Sequence, residues 1–557
     1  VDKITKTLPC ILIVLTTFAA YSTALLNGFA LDDVIQIEHN RSLQMADYGW
    51  TILTAPVFPG NLYRPLTFLS YYFENYLWGL NPLPYHFLNI LLHACVAVLF
   101  FALSRRVLST SAALLCALVF AVHPLFVEVV ANVSGRAELL SALFILSGIG
   151  IALFEKRESI LCTYRFSLVA LFSFLAAASK ESGLMMTVLL CLVFFVFRDL
   201  HLRSRLITIG ASLAGAVCYL SLRTLALGGV LYSSYPVDVF DNPLAAITFS
   251  DRVLSALSLQ GLYLFKIFYP LPLSADYSAL SLSLSDLFAA DYSSLFIGIT
   301  GLISLSLIAI LRKSYIGAGT AWFFLSFLLT SNIFFPIGTI FAERLAYVPS
   351  MGILCCVALA LETLRLRALV SIPVIILITL AFMITRQSAV HWFNNNALAD
   401  YQEHVSPESF RTQLLLARRD KERGDTEAAK VHLNKSLALL PRNDEAYHLL
   451  AIIALEEHDL PVAEENFKRA LIVNSDYLPS LSLYARLLLN QHKLVESRQL
   501  AEQILRVDRK SPDGLLILLA LAMKNGDTSL ARSYQEQLDQ QGYKSADFDA
   551  LKKRLEN

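Results

Sequence analysis

Asp32 and Asp33 close the stretch Phe29-Ala30-Leu31-Asp32-Asp33, directly after the first apolar segment. Two adjacent carboxylates at a membrane interface need not titrate alike, because partial burial raises the pKa of whichever is the more enclosed. A carboxylate with a tuned pKa and reach to a hydroxyl proton is a general base. The plain alternative is a pair of solvated loop acids capping a helix. Of the two, Asp33 is ranked just ahead as the base because it lies nearer the following loop.

A base of this kind needs cations to hold what leaves. Arg64, in Tyr63-Arg64-Pro65, carries a guanidinium suited to bidentate phosphate contact, or else snorkels to the interface as an anchor. Lys180, in Ser179-Lys180-Glu181-Ser182-Gly183, is a second candidate phosphate contact. Glu128, which closes the run from His123 and Pro124, shares a short polar linker with Arg136 and Glu138. Charges at membrane depth are rare without a role or a partner, and these three could neutralise one another, Arg136 with Glu138 above all. Glu343, Arg344 and Tyr347 form a last cluster. His86, Asn89 and His93 have helical spacing and share a face, which is predicted to point into a bundle. No carboxylate completes a metal site among them, and no metal is predicted.

The elements that position these residues follow from composition. The chain has 557 residues, 56% apolar and 16% charged, with mean hydropathy +0.56, which fits a polytopic membrane protein. About half of its charged residues fall after residue 400. The chain therefore divides into a membrane body at 1–390, a linker at 391–405 and a soluble tail at 406–557. A net charge of zero gives no support to nucleic-acid binding. The eight cysteines all lie in apolar segments, as packing residues. Neither a phosphate-binding P-loop nor a dinucleotide fingerprint occurs.

Apolar runs of about 16–21 residues recur at 8–25, 87–103, 111–126, 137–154, 166–179, 183–197, 206–225, 252–270, 293–311, 316–335, 345–361 and 368–385. A span needs about 20 such residues. Placing the basic clusters on the cytoplasmic side puts both 226–251 and 271–292 outside. The segment 252–270 is then an interfacial helix, leaving about eleven spans, the amino end inside and the tail outside. Twelve full crossings is the alternative, with the tail inside. Reading the first run as a cleaved signal peptide would not move the later loops. With eleven spans the acids, arginines and lysine above converge on the outer face, where the aromatic-rich stretch 226–292 forms a lid or groove wall.

From about 406 the sequence repeats every 34 residues. Ala417, Ala451 and Ala485 are in phase, as are Ala429, Ala463, Ser497 and Ala531, and the turn residues Asp425, Asp459, Lys493 and Asp527. The pattern predicts about four tetratricopeptide repeats and a terminal helix near 545–556. Such arrays present a concave surface to peptides or proteins, or serve only as structural modules.

Taken in order, these motifs resemble the transmembrane-and-tetratricopeptide-repeat O-mannosyltransferases: Phe-Ala-Leu-Asp32-Asp33; Tyr63-Arg64-Pro65; Asn81-Pro82 with His86, Asn89 and His93; His123-Pro124 through Glu128; Gly135-Arg136-Ala137-Glu138; Lys180-Glu181; and Glu343-Arg344 through Tyr347, Pro349 and Ser350. The resemblance implies an all-α fold: a polytopic membrane helical bundle of the C-superfamily glycosyltransferase type with a C-terminal α-solenoid. It implies inverting transfer of a hexose, mannose by resemblance, from a polyprenyl-phosphate donor to protein Ser/Thr hydroxyls, without a cofactor. Asp32 and Asp33 would be the acceptor-activating acids, and Arg64, Arg136, Lys180 and Arg344 the donor-phosphate contacts. His86, His93, His123, Glu128, Glu138, Glu181, Glu343 and Tyr347 would be supporting polar residues. Protein acceptors would dock on the repeats. The Val start and short array point to a bacterial inner-membrane member with periplasmic repeats and an undecaprenyl-type carrier; a eukaryotic member would have lumenal repeats in the endoplasmic reticulum. Competing readings are an enzyme that modifies a lipid or envelope glycan, a non-catalytic scaffold presenting the repeats and, more weakly, a transporter.

Overall fold

The structure, a computed structural model, describes the chain apart from residues 1, 41–42, 44–47, 55–61, 154–159, 198–200, 229–236, 238, 240, 279–298, 301, 304–306, 308–313, 365–366, 510, 542, 544 and 557. The described residues are largely helical and contain no β-strand. They form two units, Val1–Pro407 and Glu408–Asn557.

The first unit runs through α1 (Asp2–Ala20), α2 (Tyr48–Thr54), α3 (Pro65–Trp78), α4 (Pro82–Ser104), α5 (Thr110–Ala121), α6 (Val127–Ala131), α7 (Arg136–Ala152), α8 (Ile160–Ser179), α9 (Met185–Val196), α10 (Leu202–Ala226), α11 (Phe249–Phe268), α12 (Tyr315–Phe327), α13 (Tyr347–Thr363), α14 (Arg367–Ala389) and α15 (Asn395–Val405). Prolines open α3 and α4, where a missing N–H costs nothing. The Asn81 side chain caps α4 by accepting the Leu83 amide at 3.2 Å.

Among the described residues, five helices are long and apolar enough to cross a membrane, and four shorter apolar helices accompany them. The run expected at 111–126 is a broken pair, Thr110–Ala121 and Pro124–Ala131, bent by 51°. Pro124 supplies no amide to continue α5, so the chain turns there. The interfacial segment expected at 252–270 is α11, which is not among the five. The run 293–311 lies almost wholly outside the described residues. Gly319 of α12 and Gly352 of α13 let two backbones touch: a Cβ built on Gly352 would meet the Gly319 carbonyl at 2.2 Å. The centre of the unit is aromatic, with Phe120, Phe126 and Tyr347 packed around His93.

Residues 395–405, placed in a linker by sequence, form α15 within the first unit, with Leu398, Ala399 and Gln402 buried.

The second unit holds four helix pairs: α16 (Phe410–Glu422) with α17 (Thr426–Leu439), α18 (Asp444–Glu456) with α19 (Leu460–Val473), α20 (Leu478–Asn490) with α21 (Leu494–Val507), and α22 (Pro512–Lys524) with α23 (Thr528–Gln540). Helix α24 (Ala546–Glu556) closes it. The in-phase small residues are buried where paired helices approach; Ala429, Ala463, Ser497 and Ala531 have no exposed surface. Asp425, Asp459 and Asp527 cap the second helix of their pairs by accepting a backbone amide, whereas Lys493 cannot. The residue before each cap, Gly424, His458, His492 or Gly526, has a left-handed φ that ends the preceding helix.

Candidate active site

Asp32 and Asp33 follow a backbone that is held from several sides. Leu31 has φ +49°, a left-handed conformation costly for a branched side chain. Its amide donates to Asn395 Oδ1 at 2.8 Å, and the Gly28 amide donates to the Phe393 carbonyl at 2.8 Å. His86 Nε2 bonds the Gly28 carbonyl at 2.9 Å. The turn of π-helix at Val34–Glu38 comes next, an irregularity common at functional sites.

The two acids have different surroundings. Asp33 is buried, and its oxygens accept the Val133 amide at 2.9 Å and the Ser134 amide at 2.6 Å. Burial pushes its pKa up to about 7; the two amides pull it down and Asp32 pushes it further up. Asp32 is half-buried, and among the described residues it makes no side-chain hydrogen bond. It lies within electrostatic range of Arg344.

The turn that Asp33 grips is built tightly. Asn132 Oδ1 accepts from Ser134 N and Oγ, and Asn89 Nδ2 donates to the Asn132 carbonyl at 3.0 Å. Gly135 leaves no room for a side chain: a Cβ there would sit 2.2 Å from the Val129 carbonyl.

Arg136 follows this turn and is sealed, with no exposed surface. Its guanidinium pairs with Glu74 and donates to Asn89 Oδ1 at 2.9 Å and to the Tyr85 carbonyl at 2.8 Å. It stacks 5.0 Å from the Tyr71 ring. With its donors engaged inside the bundle, Arg136 braces helices and is out of reach of a substrate phosphate. The expected Arg136–Glu138 pair does not form. Glu138 instead pairs with buried Lys180, and Glu128 pairs with Arg344, at 2.7 Å to the guanidinium and 3.0 Å from the Arg344 amide.

Arg64 contacts Glu181 at 2.9 Å, and Arg223 reaches the same carboxylate at 3.4 Å. The side chains of Arg64 and Arg344 keep 23% and 34% of their surface exposed, so both remain reachable. Burial lowers the Lys180 pKa; the Glu138 carboxylate opposes this, and the fields of Arg64 and Arg344 add to it. Glu343 is buried and accepts the Ser274 amide at 2.9 Å and the Tyr277 hydroxyl at 2.5 Å. His93 bonds Tyr347 at 2.7 Å, and His123 bonds the Ile267 carbonyl at 2.9 Å.

The loops bearing Asp32, Arg64, Glu128, Lys180 and Arg344 are thus linked at one end of the first unit's helices. Among the described residues no cluster of three or more His, Cys, Asp or Glu forms a metal site. Glu74, Arg223, Tyr277 and Gln402 belong to this region and were missed by sequence reading. Glu74 carried a signal, a lone acid in the aromatic stretch Tyr71–Trp78.

Human protein O-mannosyl-transferase TMTC3 is 25% identical to this chain, over 95% of this chain and 67% of the relative. The chain is a relative of the transmembrane-and-tetratricopeptide-repeat O-mannosyltransferases. Mouse TMTC3 is 27% identical over 90% of the chain, and human TMTC4 is 30% identical over 58%. The chain spans 67% and 64% of the human and mouse TMTC3 lengths. No protein-family model matches it. The match to human TMTC3 takes in most of the chain, including both units.

Proposed function

We propose that this membrane protein is a glycosyltransferase that moves a hexosyl group, mannose by its relatives' names, from a polyprenyl-phosphate donor to Ser/Thr hydroxyls of proteins. The observation that carries the reading is the pair of unlike acids: Asp33 tied to two backbone amides, and Asp32 half-buried, without a hydrogen-bond partner among the described residues, and near Arg344. In this reading Asp32 takes the proton and Asp33 fixes the turn that aims it, reversing the order ranked from sequence.

The step balances as follows. The acceptor oxygen attacks the anomeric carbon, its proton passes to Asp32, and the carbon–oxygen bond to phosphate breaks with its electron pair leaving on the phosphate. Attack opposite the leaving group inverts the centre. Arg64, Lys180 and Arg344 hold the developing phosphate charge, each drawing on a cation now paired with Glu181, Glu138 or Glu128. The site works on the outer or lumenal face, and the repeats present protein acceptors.

The test is transfer by the purified full chain from polyprenyl-phosphate mannose to a Ser/Thr peptide, with the product anomer read by NMR. An Asp32→Asn protein that folds and still transfers at the wild-type rate would overturn the reading. Loss of sugar from lipid or envelope glycan alone in a deletion strain would move the acceptor away from protein.

A further inference from the structure

Helix α3 is built the opposite way round from a helix that borders water. A helix at a water surface turns its charges outward and its apolar stripe inward. Glu74 is the one acidic or basic residue between Pro65 and Ser104, and it is buried, paired with Arg136. The rest of that face is bonded to the candidate site. The Thr67 hydroxyl donates to the Ser179 carbonyl at 2.9 Å, and the Tyr71 hydroxyl to the Val133 carbonyl at 3.2 Å. Arg136 donates to the Ser70 hydroxyl at 3.3 Å. Arg64, at the N-cap of α3, contacts Glu181.

The other edge of α3 is apolar and uncovered. Phe73, Tyr76 and Leu77 share a face by helical spacing and are 58%, 79% and 60% exposed, with Trp78 exposed beside them. Gly79, at φ +62°, turns the chain, and Leu80 is exposed just beyond it. The exposed apolar residues continue along α4 as Leu83, Phe87 and Leu91, each one helical turn from the last. Helix α4 is one of the five long and apolar enough to cross a membrane, so lipid is the solvent of that stripe. At about 1.5 Å per residue the 14 residues of α3 reach about 21 Å, short of the roughly 30 Å of a hydrocarbon core. Helix α3 is therefore no span. Its apolar edge joins the lipid-facing stripe at the end of α4, where a span meets the headgroups. Tyrosine and tryptophan, large rings with one polar atom, are the side chains that favour that boundary. Continuity with the stripe and the aromatic composition of the edge both name the bilayer as the occupant.

We propose that the Phe73–Trp78 edge of α3 is a docking surface for the lipid bilayer, seated at headgroup level. The consequence is a fixed depth. With one edge held by lipid and the other bonded to the site, α3 sets the height of Arg64 against the lipid phosphates. That consequence rests on the glycosyltransferase reading; the bilayer contact does not.

The experiment uses the full chain in phosphatidylcholine vesicles whose acyl chains are brominated either near the headgroup or near the chain end. Subtracting the fluorescence of Trp78→Phe from that of wild type isolates Trp78 from the other three tryptophans. Bromine near the headgroup is expected to quench Trp78 about threefold more than bromine near the chain end, with aqueous iodide the weakest quencher. The proposal is overturned if iodide quenches and neither lipid does, or if the deeper bromine quenches best. It is also overturned if no quencher reaches Trp78, and cross-linking of Tyr76→Cys into dimers would then make a second copy of the chain the occupant. The depth is tested with Phe73→Asn and Leu77→Asn together, which leave the buried face of α3 intact. The unfolding midpoint of this variant in detergent should match wild type. Its affinity for sugar-free polyprenyl phosphate should fall about fivefold in vesicles and stay unchanged in detergent. Equal affinity in vesicles would overturn the depth setting. Lipid quenching of Trp78 in a chain that transfers no sugar would instead count against the glycosyltransferase reading alone.

Discussion

The Asp33 carboxylate holds the Ser134 amide at 2.6 Å across 101 residues of chain. One acid of the pair thereby becomes part of the scaffold while its neighbour keeps its oxygens for other work. Asp32→Asn is expected to lower transfer about 10²–10⁴-fold, the usual worth of a positioned base, with the thermal unfolding midpoint unchanged. Asp33→Asn is expected to lower both activity and midpoint, because an amide nitrogen cannot accept from a backbone N–H. Equal midpoints in the two variants would contradict this division of roles.

Acidity should report the burial of Asp33. Its pKa is about 7 when folded, against 3.8 for an ordinary aspartate. Between those values the folded chain binds the extra proton, so this contribution to stability is complete below about pH 4 and is lost as pH rises through 7. The midpoint of wild type minus that of Asp33→Asn, followed from pH 4 to 8, should fall over this window. A pH-independent difference would show that Asp33 is solvated.

Arg136 and Glu74 are expected to behave as a brace. Removing one partner of a buried pair costs roughly 3–5 kcal/mol, whereas replacing both with apolar groups is often neutral. Arg136→Ala should therefore fail to accumulate as folded protein, and Arg136→Met with Glu74→Leu should recover. Donor KM in the recovered double variant should match wild type; a large rise would restore Arg136 to the phosphate contacts.

Arg344 tests the opposite case. Its side chain is one-third exposed and paired with Glu128. Arg344→Gln is expected to raise donor KM and lower kcat, about 10–100-fold in their ratio, while the protein still folds. Affinity for sugar-free polyprenyl phosphate should fall with it. Unchanged lipid-phosphate affinity would remove Arg344 from the donor site.

In the repeats, His458 has φ +62° where the equivalent positions of two other pairs are glycine. His458→Gly is expected to stabilise the second unit by about 1 kcal/mol, less the entropy of a freer unfolded chain. Its unfolding transition within the full chain should shift up; a downward shift would mean the imidazole makes a contact that matters more than the backbone.

The repeats could be read from sequence because the same residue types vote four times in one register: Ala429, Ala463, Ser497 and Ala531 are each buried at the same step. The membrane unit offers no such repetition. The residue types of its polar cluster were visible, but their pairings were not. Arg136 and Glu138 stand two apart on one helix and so face different ways, and helix packing brought Glu74 to Arg136 from α3. Glu128 met Arg344 across 216 residues. Nor does adjacency reveal burial: Asp32 and Asp33 are neighbours in sequence, and only the turn at 132–135 makes them different. Gln402 was hidden by placing 391–405 in a linker, since a polar helix packed on a membrane body lacks the long apolar run that marks a span.

The bonds from Leu31 to Asn395 and from Gly28 to Phe393 tie one loop to a segment synthesised much later. At about 5–20 residues per second, the 364 residues between Leu31 and Asn395 take roughly 20–70 s to emerge. For that interval the loop carrying Asp32 has no partner for its Leu31 amide and no reason to hold a left-handed turn. The loop thus stays unlocked until that segment arrives, and nascent chains arrested before residue 389 should be cleaved by protease in the 27–33 loop while chains that reach past residue 405 resist.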